Sequence, residues 1–307
     1  RGEIAGSPGF MDTALYFMVF PQIAQGPIMR YEEGRTYALQ YYSLEGFEDG
    51  LQYFVIGLSM KVLLADRLAI LWKDLQMIGY QSISTPLAWL GAVGYSLQLY
   101  FDFSGYCDMA SGIALMFNVN LPVNFHSPYK AASISEFWDR WHMTLTRFFT
   151  RYVYIPLGGS RKGTARTLLN IMIIFLLSGF WHGTNWTFLV WGILHGLCMV
   201  FERVTGYEKW KLPHVLKVAW NFVLTTFAWS IFRAESLSQA GQLWNRLFTG
   251  GIGKISGQIT SVFNDTMEIR LLVRMKLLPF LSGHPGMPAV AMTVVLLIAC
   301  FFMKNTT

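Results

Sequence analysis

Two tryptophan–histidine pairs, Trp141-His142 and Trp181-His182, stand 40 residues apart in a chain of 307 residues. Imidazole is the side chain best suited to take a proton from a hydroxyl near neutral pH. His182 closes the run Leu168-Leu169-Asn170-Ile171-Met172-Ile173-Ile174-Phe175-Leu176-Leu177. Apolar surroundings favour the neutral ring, so this histidine is expected to accept a proton. An ionisable group at membrane depth is a functional candidate by default. A third histidine, His195, lies inside the next apolar run, where a packed structural role is preferred to pocket support. Asp102 and Asp108 flank Phe103-Ser104-Gly105-Tyr106-Cys107. They either hydrogen-bond a catalytic histidine and shape a polar pocket, or belong to a satisfied network at the end of a span; both remain open. Cys107 has no adjoining base and reads as a buried thiol. No Ser-x-Gly elbow or Cys–His spacing suggests a covalent nucleophile.

The elements that must hold these groups are apolar helices. Spans are expected over 51–71, 87–103, 167–182, 186–201, 215–232 and 288–303. The stretch 11–23 is apolar but marginal in length and carries Pro21. Lys61, Asp66 and Arg67 within 51–71 read as an intrahelical pair or as side chains reaching an interface. Ser104 and Gly105 suggest either close helix packing or a broken helix. The segment 121–129, with two prolines and Asn124, reads as extended and packed inside the protein. Ser133-Ile134-Ser135-Glu136 fits a capping box. After it, Phe137, Trp141, Leu145 and Phe148 recur at helical spacing, with Arg140 and Arg147 off that stripe. This predicts a basic amphipathic helix along the membrane surface. Gly183-Thr184-Asn185 predicts a tight break between two spans. Leu237, Ala240, Trp244 and Leu247 predict a further amphipathic helix, Gly250–Gly257 a flexible stretch, and 258–281 a helix at the membrane surface.

Composition agrees. Residues are 53% hydrophobic and only 14% charged, where a soluble domain is nearer a quarter charged. The 11 Trp, 14 Tyr and 24 Phe suit interfacial belts. Three cysteines in apolar runs, without metal spacing, argue against a disulfide framework or a zinc site. The net charge of +6 is scattered among the spans, so basic loops and anionic headgroups explain it better than nucleic acid does. Residues 140–166 carry six basic residues and no acid, which favours the cytoplasm. Residues 202–214, with Arg203, Lys209 and Lys211, then lie on the same side.

The two histidine motifs resemble the membrane-bound O-acyltransferase family, and within it the bacterial alginate O-acetyltransferase-like branch. Tyr152-Val153-Tyr154-Ile155-Pro156-Leu157-Gly158-Gly159 resembles that branch's signature loop. So do Phe101-Asp102-Phe103-Ser104-Gly105-Tyr106, Leu121-Pro122-Val123-Asn124-Phe125, and Phe20-Pro21-Gln22 with Gly26-Pro27-Ile28. The ordered set covers about residues 10–240.

The resemblance implies an all-α, polytopic integral membrane protein: a helical bundle around a central tunnel, with amphipathic surface helices. It implies one membrane-embedded acyltransferase domain over 1–307, as a fragment or as a member lacking N-terminal helices found in longer relatives. The implied location is the bacterial plasma (inner) membrane. In the implied reaction, an acetyl or other acyl group leaves a cytoplasmic thioester, such as acetyl-CoA, for a hydroxyl outside, with no bound cofactor or metal. The acceptor would be a periplasmic or extracellular partner protein or polysaccharide. His182 matches the family's active-site histidine and is expected to be the general base. His142 matches the branch's second histidine, expected to orient or contact the acceptor. Arg140, Trp141, Asn124, Trp181 and Asn185 either line the site or serve packing. Two alternatives stay open: D-alanyl transfer to teichoic acids on a related scaffold, and a transporter or structural membrane subunit. No paired interrupted spans favour the transporter.

Overall fold

The computed structural model describes residues 9–18, 26–33 and 43–251. The expected last span over 288–303, the surface helix over 258–281, nearly all of the Gly250–Gly257 stretch and the Phe20-Pro21-Gln22 motif lie outside the described residues. Among the described residues there is no β-strand; Phe125 and Trp141 form an isolated antiparallel bridge.

The chain opens with a short helix α1 (Phe10–Phe17). Helix α2 (Leu44–Ser59) begins at Ser43, whose hydroxyl accepts the amide hydrogen of Gly46. It passes through a π-helical turn, Met60–Ala65, into α3 (Asp66–Ile78). Lys61 in that turn pairs with Asp66 at 2.7 Å and, across the helix interface, with Asp102 at 2.6 Å. The sequence suggested only the first pair.

Helix α4 (Thr85–Met116) runs 32 residues, well past the expected end at 103. Ser104 and Gly105 therefore mark close packing and not a break. A Cβ on Gly57 would lie 2.4 Å from the Gly105 carbonyl oxygen, and one on Gly112 would lie 2.5 Å from that of Gly50. Only glycine allows α2 and α4 to approach so closely.

Helix α5 (Ile134–Arg140) starts at Ser133, which accepts from the Glu136 amide at 3.0 Å. The Glu136 carboxylate takes the Ala132 amide, so the cap forms with its return bond displaced by one residue. The predicted surface helix over 137–149 does not exist as one element. The chain breaks at Trp141, which is extended, and at His142, which has φ 46° and ψ 50°. Helix α6 (Met143–Phe149) follows, then a π-helical turn, Thr150–Tyr154. Phe137 and Trp141 are almost fully buried. Of the stripe expected along the membrane surface, Phe137, Trp141 and Leu145 are buried because the break turns them inward, while Phe148 stays exposed.

Helices α7 (Thr164–His182), α8 (Trp186–Thr205) and α9 (His214–Arg233) are long and apolar enough to cross a membrane. The 19 residues of α7 span about 28 Å, close to a bilayer's hydrocarbon thickness. Asn185 caps α8 by accepting the Thr187 amide, at the break that the sequence predicted. Helix α10 (Leu237–Thr249) buries Ala240, Leu243 and Leu247. Trp89 donates to the Leu247 carbonyl at 2.9 Å and Trp244 to the Ser230 hydroxyl at 2.9 Å, which fastens α10 to α4 and α9.

Candidate active site

The ends of α7 and α9 and the start of α8 meet around His182. Its ring lies edge-on to Trp191 at 5.2 Å and to Phe232 at 5.0 Å, with Trp181 at 4.8 Å. His182 therefore faces protein and not lipid. His142 reaches the same place from a different part of the chain. Trp181 stands 6.4 Å from the His142 ring, and Phe103 of α4 packs edge-on against it at 4.8 Å. Burial first, and the neighbouring His182 second, hold the His142 imidazole well below its ordinary value, at about 3. It is neutral across the physiological range.

The loop 121–129 explains how His142 is placed. Phe125 and Trp141 pair antiparallel. The His126 amide donates to the Arg140 carbonyl at 2.9 Å, and the Met143 amide to the Asn124 carbonyl at 3.0 Å. This pairing ends α5 and forces the left-handed turn at His142, a conformation that costs a non-glycine residue free energy. The Asn124 side-chain oxygen faces His142 Nδ1 at 3.2 Å and accepts from the Thr144 amide at 3.1 Å. Ile28, from the Gly26-Pro27-Ile28 motif, donates its amide to the Thr144 hydroxyl at 3.1 Å.

A cavity of about 530 Å³ leads toward this centre from the opposite end of α7. Ile171, Ile174, Phe175 and Ser178 present one helical face to it. Trp138 closes its inner side, while Arg203, Glu208 and Lys209 stand at the far end with Tyr154. Ser178 is one helical turn before His182. The Glu202 carboxylate, also in the wall, accepts from the amides of Ile134 at 2.6 Å and Ser135 at 3.0 Å, and so fixes the start of α5 against α8.

The remaining candidates separate cleanly. His195 is 1% exposed, its Nδ1 accepts from the Trp138 indole at 3.3 Å, and its ring stacks on Phe137 and Phe175. Trp141 packs on Trp229 at 5.0 Å. Arg140 is tied to Glu136 at 2.6 Å and to the His126 carbonyl. Asp102 turns to Lys61 and not to either histidine. Asn185 caps α8 and donates to the Glu235 carbonyl at 2.8 Å. Trp181 is 56% exposed. Among the described residues no group of acids, histidines or cysteines has metal-binding geometry.

The model of the membrane-bound O-acyltransferase family matches residues 2–237. The chain belongs to this family. It is 38% identical over 306 residues to the peptidoglycan O-acetyltransferase of Helicobacter pylori, covering 97% of this chain and 57% of that protein. It is 38% identical over 281 residues to a probable alginate O-acetylase of Pseudomonas aeruginosa, covering 89% and 53%. A teichoic acid D-alanyltransferase of Bacillus subtilis is more distant, 28% identical over 242 residues, covering 72% and 61%. The chain thus spans little more than half the length of the first two relatives.

Within this family member, the sequence pointed to both histidines and to Trp181 and Asn124 beside them, but not to every residue that cages them. Trp191 and Thr144 carry no motif that a reader would single out. Trp191 shows only as an apolar position within a span. Trp138 and Ser178 stood inside motifs as neighbours of better candidates, and only the fold brings them to the cavity.

Proposed function

We propose that this chain is the catalytic part of an O-acyltransferase of a bacterial inner membrane. It moves an acetyl group from a cytoplasmic thioester, such as acetyl-CoA, to a hydroxyl on the other side. The observation that carries the reading is the meeting of His142 and His182 around Trp181, one helical turn beyond the inner end of a cavity whose far end is charged. Two neutral imidazoles in a water-poor setting suit proton removal from an alcohol.

The acyl thioester occupies the cavity with its carbonyl toward Ser178. The acceptor hydroxyl arrives from the His182 end. Its oxygen attacks the carbonyl carbon as its proton passes to His182, the general base. The C–S bond then breaks, the thiolate leaves toward the cavity, and the proton returns to sulfur. His142 contacts and orients the acceptor. Trp181, Asn124, Trp141 and Arg140 shape the site, with Asn185 and His195 supporting it. No bound cofactor is required. The acceptor is a cell-envelope polysaccharide, as in the relatives' names, or a periplasmic partner protein that passes the group on. Acetyl is preferred to D-alanyl because the acetylating relatives are 38% identical and the D-alanylating one 28%.

The test is transfer of labelled acetyl from acetyl-CoA to peptidoglycan and alginate fragments by the protein in liposomes. Transfer that disappears in His182→Ala, with the melting temperature unchanged, supports the reading. Transfer that persists in that variant refutes it.

A further inference from the structure

Asn124 is 3% exposed, and every polar atom of its side chain is engaged. Its oxygen faces three donors: the Thr144 amide at 3.1 Å, the Thr144 hydroxyl at 2.9 Å and His142 Nδ1 at 3.2 Å. A backbone amide only donates, so the atom it faces is the amide oxygen and not the nitrogen. The nitrogen points the other way, donating to Cys107 Sγ at 3.2 Å. The Thr144 hydroxyl receives the Ile28 amide, so its own hydrogen is directed to Asn124.

One consequence is forced on the histidine. An oxygen already fixed as an acceptor makes a hydrogen bond with Nδ1 only if Nδ1 carries the hydrogen. In the neutral ring, Nε2 then holds a lone pair. Nε2 has no hydrogen-bond partner among the described residues. The left-handed backbone at His142, held by the pairing with 124–126, leaves the ring little freedom to turn away.

We infer that Asn124 is a positioning residue that locks His142 in its Nδ1–H tautomer, making Nε2 a hydrogen-bond acceptor for a hydroxyl of the acyl acceptor beside the one that reacts. The inference rests on the proposed reaction for the identity of that hydroxyl. Its chemical sense is direct. A ring nitrogen that accepts from a neighbouring hydroxyl holds the acceptor in place and leaves the reacting hydroxyl its one hydrogen for His182. The opposite tautomer would present a donor there, and a donor drawn to the reacting oxygen would occupy the electrons that must form the new bond. The amide also differs usefully from a carboxylate. It orients the ring without stabilising an imidazolium, so the site keeps a neutral acceptor.

Few other charges bear on His142. His182 on α7 is the titratable group whose charge reaches it. Cys107 on α4 faces Asn124. On its own segment, Arg140 is engaged by Glu136, and Arg147 donates to the Val123 carbonyl.

The decisive measurement is solid-state nitrogen NMR of the protein in liposomes with labelled histidine. The His142 signals are identified by their loss in His142→Gln. Near neutral pH, Nδ1 is expected to be protonated and Nε2 bare. A protonated Nε2 would overturn the inference, whatever the protein's activity. In acetyl transfer, Asn124→Ala is expected to lower kcat about 10- to 100-fold, the usual cost of losing a group that orients a functional histidine, with KM for the thioester within about twofold. Asn124→Asp keeps the acceptor for Nδ1–H but adds a charge. It is expected to retain the tautomer and move the acidic limb of the rate profile to higher pH. Equal losses in both variants with an unchanged pH profile would mean a merely structural role. Failure of the proposed reaction reads differently: no acetyl transfer by the parent, with the Nδ1–H signal still present.

Discussion

Gly179 of α7 and Gly192 of α8 face each other so closely that neither can carry a side chain. A Cβ on Gly192 would lie 2.3 Å from the Phe175 carbonyl oxygen and 3.5 Å from the Gly179 Cα; one on Gly179 would lie 2.5 Å from the Phe188 carbonyl oxygen. This contact sets the distance between His182, three residues after Gly179, and Trp191, the residue before Gly192. Backbone atoms cannot move aside as a flexible side chain can. Gly179→Ala is therefore expected to destabilise by about 1–3 kcal/mol, as overpacking does, and to lower acetyl transfer per folded molecule. Gly241→Ala is the control. It lies exposed within α10 with nothing within 4 Å of a built Cβ. There the added methyl is expected to stabilise by about 0.5–1 kcal/mol. Thermal unfolding in detergent, alongside acetyl-transfer assays, checks both directions.

His182 and His195 are expected to fail in opposite ways. Trp138 donates to His195, so His195→Leu leaves a buried indole N–H without an acceptor, at about 1–3 kcal/mol of stability. Activity per folded molecule is expected to stay within a few-fold of the parent. His182→Ala is expected to remove about 10²- to 10⁴-fold in kcat, the range for a general base, with little change in melting. A His195 variant that melts normally yet transfers no acetyl group would put that ring in the chemistry.

These two histidines also show what the sequence could convey. Burial of His195 follows from its place inside an apolar span, so its structural reading was available from the string alone. The turn at His142 was not. Phe137, Trp141, Leu145 and Phe148 keep helical spacing straight through it, so periodicity reports one continuous helix. The break arises from pairing with Phe125 and Asn124, 16 and 18 residues before Trp141 and His142. Contacts of that range leave no local mark, least of all at a residue other than glycine held at positive φ. The Ser104-Gly105 ambiguity has the same root. Small residues mean a break or a close contact according to whether another glycine stands opposite, and Gly57 does.

Lys61 has two acidic partners, and the redundancy is testable. Asp66 and Asp102 bind the same ammonium group at 2.7 and 2.6 Å. Asp102→Asn leaves Asp66 in place and is expected to change melting little, as does Asp66→Asn. The double variant leaves a charged lysine in an apolar helix pair with no carboxylate. Its loss is expected to exceed the sum of the single losses, because the three groups form one network. A double-mutant cycle on melting temperature measures the excess; strict additivity would mean that Lys61 finds water instead.

The cavity offers the sharpest separation of binding from chemistry. Ile174 lies on the α7 face that lines it, between Ile171 and Ser178, and is only partly buried. Ile174→Trp adds bulk to that space and removes no hydrogen bond. The histidines, Asn124 and the glycine contact with α8 are left as they were. If the thioester is held in this cavity through both ground and transition states, the substitution removes uniform binding. KM for acetyl-CoA is then expected to rise about tenfold or more while kcat changes little, since tenfold corresponds to about 1.4 kcal/mol of lost contact. The acceptor's KM should not move, because the hydroxyl reaches His182 from the other end. A rise in acceptor KM with the thioester KM unchanged would place the donor elsewhere and give this cavity to the acceptor.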